Sequence, residues 1–279
     1  MNTVIITDST CDMDKSVLQQ LNVELVPLTV LFGDESFRDG VDLTKAEFFE
    51  KLASSSVNPT TSQPTPELFL EVFNKYKAEG KEMVYIGISS VLSGTMQSAK
   101  IAKEMCDYDK IYLVDSLSAT AGIDMLVRVA CSMRDSGETA KNIAEKLEQL
   151  VPKIRVYAYV DTLKYLVRGG RVSKVAGAIG GALGVKPLIA VGDGAVVSIG
   201  TARGQKLAFE KLCSIVKEAD IDTSLPMILT NSVNEENMRL MEVYMQENGI
   251  DYTWTYSDVG SVIGTHVGPG AVAVAYFVK

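Results

Sequence analysis

Histidine is nearly absent: His266 is the one histidine in 279 residues. The four cysteines, Cys11, Cys106, Cys131 and Cys213, are scattered and form no CxxC pair. An ordinary zinc site therefore has no ligand set to draw on. Cys106 and Cys131 sit in apolar helical patterns and read as core. Cys11 follows a strand end and is either a reactive or a buried bystander thiol. This cysteine usage fits a reducing cytoplasm. No apolar run reaches the roughly 18–20 residues that span a bilayer. The N-terminal "MNTVIITDST" lacks a basic region and is expected to be a first strand, not a signal peptide. Net charge is −8 with no large basic block, so no nucleic-acid partner is expected.

Familiar catalytic boxes are missing too. There is no P-loop and no GxGxxG after a strand. No glycosidase carboxylate pair stands out, and no local signature completes a Ser/His/Asp triad. Neither an internal repeat nor a low-complexity tract is present. For a chain of ordinary globular composition, 47% hydrophobic and 22% charged, this points to ligand contact more than to catalysis.

What is present has an alternating rhythm. The runs 3–8, 83–88 and 111–115 read as strands, with helical patterns at 14–21, 93–105 and in two segments up to about Leu150. Thr44 and Glu47 have capping-box spacing, and Thr65-Pro66 opens another helix. The run 23–32 reads as one strand, followed by a hairpin return through "GDESFRDG". This βαβ order predicts a parallel, Rossmann-like sheet with helices on its faces. In the second half, Gly192-Asp193-Gly194 predicts a hairpin turn. Helices are expected at 205–218 and 235–248, with strands at 155–160, 226–230, 252–257 and 271–278. A mixed sheet is expected here. The α/β chain is therefore divided into an N-terminal domain, 1–152, and a C-terminal domain, 153–279.

Polar clusters follow the strands, where open α/β sheets bind ligands. Asp8 and Asp115 are expected to brace neighbouring loops; the alternative is metal ligation, for which two isolated carboxylates do not define a site. In "SSVLSGT", a helix starting near Gly94 either offers backbone N–H groups and the Ser93 hydroxyl to an anion, or is merely capped by Ser93. "TTSQPTP" holds Thr61 in an ordinary turn or in a second ligand contact. "VRGGRVSK" sets Arg168, Arg171 and Lys174 around two glycines, a turn suited to an anion or an acidic partner. "GGALG" at 180–184 reads as close helix packing, and Arg203 as a solvated surface residue. His266 lies in "IGTHVGPGA", a glycine-rich segment read as a loop too short for a helix, stiffened by Pro269.

Together, "TDST" (7–10), "TTSQPTPELF" (60–69), "SSVLSGTMQSA" (89–99), "VDS" (114–116), "TLKYLVRGGRVSK" (162–174), "KPLI" (186–189), "ARG" (202–204) and "IGTHVGPGA" (263–271) resemble the DegV family of bacterial proteins. They run in family order along nearly the whole chain. The resemblance implies two α/β domains with a long-chain fatty acid buried between them. It implies a non-catalytic carrier, the lipid-binding subunit of a bacterial fatty acid kinase. A separate kinase subunit would form the acyl phosphate, and the carrier would take it to phospholipid synthesis with transient membrane contact. By the same resemblance Thr61, Ser93 and Gly94 bind the carboxyl, His266 joins them, and Arg203 is a further member. Arg171 would serve the kinase encounter or phosphoryl transfer. No cofactor or metal is implied. Met96 stands where the family usually has an aromatic, "AVAVAYFVK" lacks a common glycine, and "GAIGGALG" is unusually rich in Gly and Ala. The competing reading is a Ser93/His266 hydrolase or transferase acting on a small acyl or phosphorylated substrate. A third is a regulatory protein without a ligand.

Overall fold

The structure is a computed structural model that describes residues 2–172 and 184–279. Lys174 and most of the 177–184 glycine–alanine stretch lie outside the described residues.

In chain order the elements are β1 (Thr3–Asp8), α1 (Lys15–Gln20), β2 (Val23–Val26), β3 (Thr29–Phe32), β4 (Glu35–Arg38), α2 (Lys45–Ser54) and β5 (Thr60–Ser62). Next come α3 (Pro66–Ala78), β6 (Glu82–Gly87), α4 (Thr95–Cys106), β7 (Ile111–Asp115), α5 (Ala121–Asp135) and α6 (Ala140–Leu150). The second half adds β8 (Ile154–Tyr159), α7 (Lys164–Gly169), β9 (Val185–Gly192), β10 (Ala195–Arg203) and α8 (Gln205–Glu218). It closes with β11 (Ile228–Asn231), α9 (Glu235–Glu247), β12 (Thr255–Asp258), α10 (Ser261–Val267) and β13 (Val272–Phe277).

The fold is α/β. A parallel sheet runs β2-β1-β6-β7, as the βαβ rhythm predicts. A mixed sheet runs β10-β9-β8-β13-β11-β12, antiparallel except for β11 beside β12. Helix α5 packs between them, touching β1 and β6 on one side and β8, β11 and β13 on the other. Buried side chains therefore surround it, among them Ile123, Met125, Leu126 and Val129. The helix also buries Asp124, which is paired with Arg128 one turn on. One hydrophobic cluster joins the two sheets through it, from Ile5 and Val84 to Val156, Ile228 and Phe277.

Local signals act as expected at most helix ends. Thr44 and Glu47 form both halves of a capping box, and Thr65 accepts from Leu68 N ahead of Pro66. The run 23–32 differs from expectation. It breaks at Pro27-Leu28 into β2, in the parallel sheet, and β3, at the centre of a separate antiparallel sheet β4-β3-β5. Proline has no N–H to give to a ladder, so the chain changes partners there. The "TTSQP" segment, read as a turn, contributes β5 to that small sheet, with Thr61 paired to Val30. No helix among the described residues is long and apolar enough to cross a membrane.

Candidate functional site

A cavity of about 920 Å³, open solvent at its mouth included, lies between the mixed sheet and the carboxyl ends of the parallel strands. One wall is a sheet face built by register: Val156 and Ala158 on β8 stand beside Val191 and Ile189 on β9, and Ala273 on β13 continues the row. The other wall comes from Leu28 after β2, Ile88 after β6, Ala119 after β7, and Val262 and Ile263 of α10. Both walls are apolar.

Polar side chains gather where Thr61, Ser93, Arg171 and His266 line the same cavity. The His266 Nε2 atom lies 2.9 Å from the Thr61 hydroxyl. The Arg171 side chain is exposed and reaches back to the Leu92 carbonyl (Nε, 3.3 Å) and the Gly169 carbonyl (Nη1, 2.6 Å). Burial, and then the Arg171 charge, lower the His266 pKa from 6.5 to about 4, so its imidazole is neutral at neutral pH. Its Nδ1 is buried and has no hydrogen-bond partner.

His266 is not in a loop. It occupies the last turn of α10. Three contacts make a short helix possible there. The buried Asp39 carboxylate accepts from Ser261 N (3.1 Å) at the helix start. The Thr265 hydroxyl donates to the Ser261 carbonyl (2.9 Å). Gly264 faces two rings: a Cβ there would meet Phe48 Cε1 at 2.7 Å and Phe49 Cζ at 2.9 Å. That glycine serves helix packing. The tight backbone expected of this segment comes just after, at Gly268 and Gly270, both with positive φ. Ser232 ties this turn down, donating to the Gly268 carbonyl and accepting from Ala271 N.

Two expected motifs meet at α4. Gly94 is its N-cap position, without a side-chain cap. Ser93 Oγ instead accepts from Thr95 N (3.3 Å) and bonds the Thr95 hydroxyl (2.8 Å). A side chain at Gly94 would collide with Gln63 of "TTSQP", whose amide donates to Ser98 Oγ (2.9 Å). The absent side chain thus admits Gln63 over the helix start.

Arg203 does not join this group. It ends β10, exposed, opposite Val185, and does not line the cavity. Val172 bridges Val196 near the hairpin turn, so Arg171 sits there. Arg203 is seven residues further along the strand, roughly 20 Å at about 3.3 Å per residue. Arg171 is the guanidinium that lines the cavity.

Asp8 and Asp115 brace loops. Asp8 accepts from Tyr85 OH (2.8 Å), Ile88 N (2.9 Å) and Thr10 N (3.0 Å). Asp115 accepts from Ser90 N and Leu117 N. Cys11 is buried, and burial pushes its thiol pKa well above 9, which makes it a poor nucleophile. Among the described residues no cluster of His, Cys, Asp and Glu is arranged to hold a metal.

One feature escaped the sequence reading. A methyl on Gly169 would fall on the His266 ring at Nδ1. The first glycine of "RGGR" therefore makes room for the imidazole. The paired glycines signalled a close approach, but not to which partner.

A hydrolase needs more than this arrangement supplies. Its serine and base must be hydrogen-bonded, with a third group orienting the base. Here the Ser93 hydroxyl bonds Thr95, the His266 Nε2 atom bonds Thr61, and Nδ1 has no orienting carboxylate.

Comparison with known proteins places these features in context. The family model described as "Uncharacterised protein, DegV family" matches residues 2–279. A DegV domain-containing protein of Clostridium acetobutylicum is 33% identical over 277 residues, covering 99% of this chain and 98% of its own. Among solved structures, a DegV family protein from Thermus thermophilus described by its fatty acid binding superposes with a TM-score of 0.90 at 29% identity, over 100% of both chains. A stearic acid-binding protein from Eubacterium ventriosum gives a TM-score of 0.88 at 28% identity, covering 99% of this chain and 98% of that one.

Proposed function

From a chain that belongs to the DegV family and encloses an apolar cavity with one polar end, we propose a carrier of a long-chain fatty acid. The observation that carries the reading is the Thr61–His266 hydrogen bond at the lip of that cavity, with Ser93 and Arg171 lining it too. Each buried methylene contributes roughly 0.8 kcal/mol, so an acyl tail along the apolar walls supplies the affinity. A carboxylate inside such a cavity must be hydrogen-bonded, since a buried unpaired charge is costly. Thr61, Ser93, His266 and the Gly94 backbone N–H are the proposed partners, and the nearby Arg171 guanidinium offsets the charge.

The bound carboxyl would be presented to a separate fatty acid kinase subunit. That partner would bring a nucleoside triphosphate; the carboxylate oxygen would attack its terminal phosphorus, the bond to the bridging oxygen would break, and the nucleoside diphosphate would leave as the acyl phosphate forms. Arg171, exposed at the cavity, would meet either the partner or the transferring phosphoryl group. The acyl phosphate would then pass to phospholipid synthesis through a transient membrane contact. A cytoplasmic location accords with such an exchange.

The test is a titration of lipid-stripped protein with octadecanoate. Near-stoichiometric binding that weakens about tenfold in Thr61→Val supports the reading, that being the order of one hydrogen bond to a charged group. No binding by folded wild-type protein would overturn it.

A further inference from the structure

The apolar wall contains a polar atom that the carboxyl site does not use. Thr230, on β11, is 1% exposed, and its hydroxyl has no hydrogen-bond partner among the described residues. It pairs with Ala273 of β13, which pairs in turn with Ala158 of β8. Paired residues share a face, so Thr230 stands in the row of small side chains that lines the cavity. On its other side it pairs with Ser257 of β12, whose buried hydroxyl oxygen also lacks a partner. Of the other two threonines that line the cavity, Thr61 bonds His266, whereas the buried Thr120 hydroxyl, like that of Thr230, has no partner among the described residues.

Buried polar groups in native proteins are nearly always bonded, and an exception asks for a partner. Valine would fill the Thr230 position with the same shape and no polar atom. The position along the cavity is also defined. Asn231, the next residue, accepts from Val259 N (2.8 Å), which puts Thr230 beside the start of α10. His266 lies at the other end of that helix. From Ser261 to His266 is about 7.5 Å at 1.5 Å per residue, and the extended backbone from Val259 through Gly260 lengthens the span. A ligand with its carboxyl at His266 therefore brings the middle of its tail to Thr230.

Resting on the fatty-acid reading, we propose that the cavity prefers an acyl chain with a hydroxyl near its middle, which accepts a hydrogen bond from Thr230. A plain saturated chain fits the same space but leaves the Thr230 hydroxyl unbonded.

The experiment compares octadecanoic acid with its 10-hydroxy and 3-hydroxy derivatives on lipid-stripped full-length protein, by competition against a fluorescent fatty acid. Wild type should bind the 10-hydroxy acid about five- to tenfold tighter than octadecanoate, the order of one hydrogen bond. The 3-hydroxy acid should show no gain. Thr230→Val should abolish the preference and tighten octadecanoate. The wild-type series decides the matter even where the variant does not fold. Octadecanoate binding without a gain from the 10-hydroxyl, or an unchanged ratio in Thr230→Val, overturns this inference and leaves the fatty-acid reading standing. Failure of all three acids to bind overturns both.

Discussion

The His266 imidazole meets the Thr61 hydroxyl at 2.9 Å across 205 positions of sequence. One partner ends a short helix and the other sits in a three-residue strand, so the pair exists only when the small sheet and α10 are packed together. It joins the second half of the chain to the first at the polar end of the cavity.

As the one histidine, His266 can be titrated without overlap. Its folded pKa of about 4 lies below the unfolded 6.5, lowered first by burial and then by Arg171. Between those values the unfolded chain holds a proton that the native protein does not. Stability therefore falls as pH drops from about 6.5 to 4, by about 3 kcal/mol at most. NMR of the imidazole should show no protonation at pH 6 in lipid-stripped protein. Addition of fatty acid should raise the pKa, because a carboxylate favours the charged ring. Unfolding curves of His266→Asn should lack the wild-type slope in that window.

Gly169→Ala should separate binding from folding. Gly169 does not have a positive φ, so alanine suits the backbone, but its methyl displaces the imidazole from Thr61. Loss of one hydrogen bond predicts roughly three- to tenfold weaker fatty-acid binding with nearly unchanged far-UV dichroism. Gly268→Ala should do worse. Its φ of 71° and the Tyr165 ring both oppose a side chain, so the melting temperature itself should fall.

Several elements were legible in the sequence because their signals are local. The capping box at Thr44 and Glu47 started a helix, Gly192-Asp193-Gly194 turned a hairpin, and the helix expected at 205–218 is α8. The eight ordered motifs pointed to the family, and the cavity gathers Thr61, Ser93, Arg171 and His266 from four of its segments. Features held by distant contacts were not legible. Asp39 and the Phe48 ring allow a helix where glycines suggested a loop. Arg203 carried no mark of lying beyond the cavity's end, since that depends on how far along β10 the cavity reaches. Thr230 looked like any strand threonine until the sheet register placed it among alanines.

Ala273→Leu should shorten the accepted chain. Ala273 is buried in the cavity wall, and a larger side chain occupies space meant for the tail. Displacing two or three methylenes costs about 2 kcal/mol of affinity for an 18-carbon acid. Decanoate should bind as it does to wild type, and isothermal titration with both acids checks the contrast.

Asp39→Ala should loosen the helix that carries His266. The carboxylate bonds the first N–H of α10, and losing such a cap costs about 1–2 kcal/mol. Thermal unfolding should show the drop. Amide exchange should rise first over 261–267.

Arg171→Ala should weaken fatty-acid binding only about two- to threefold, since the guanidinium is exposed, but at saturating acid should lower acyl phosphate formation with a kinase partner by about tenfold or more. Its guanidinium is exposed and, among the described residues, bonds the Leu92 and Gly169 carbonyls. Wild-type rates with that variant would remove it from the proposed transfer step.

The central claim, that this cavity holds a long-chain fatty acid, is tested most directly by denaturing mass spectrometry of protein purified without added lipid. The account predicts about one long-chain acyl carboxylate released per chain, lost in a variant whose cavity is blocked by Ala158→Phe and Ala273→Phe. Folded wild-type protein that releases no lipid, and takes up none when long-chain acids are supplied, would contradict it.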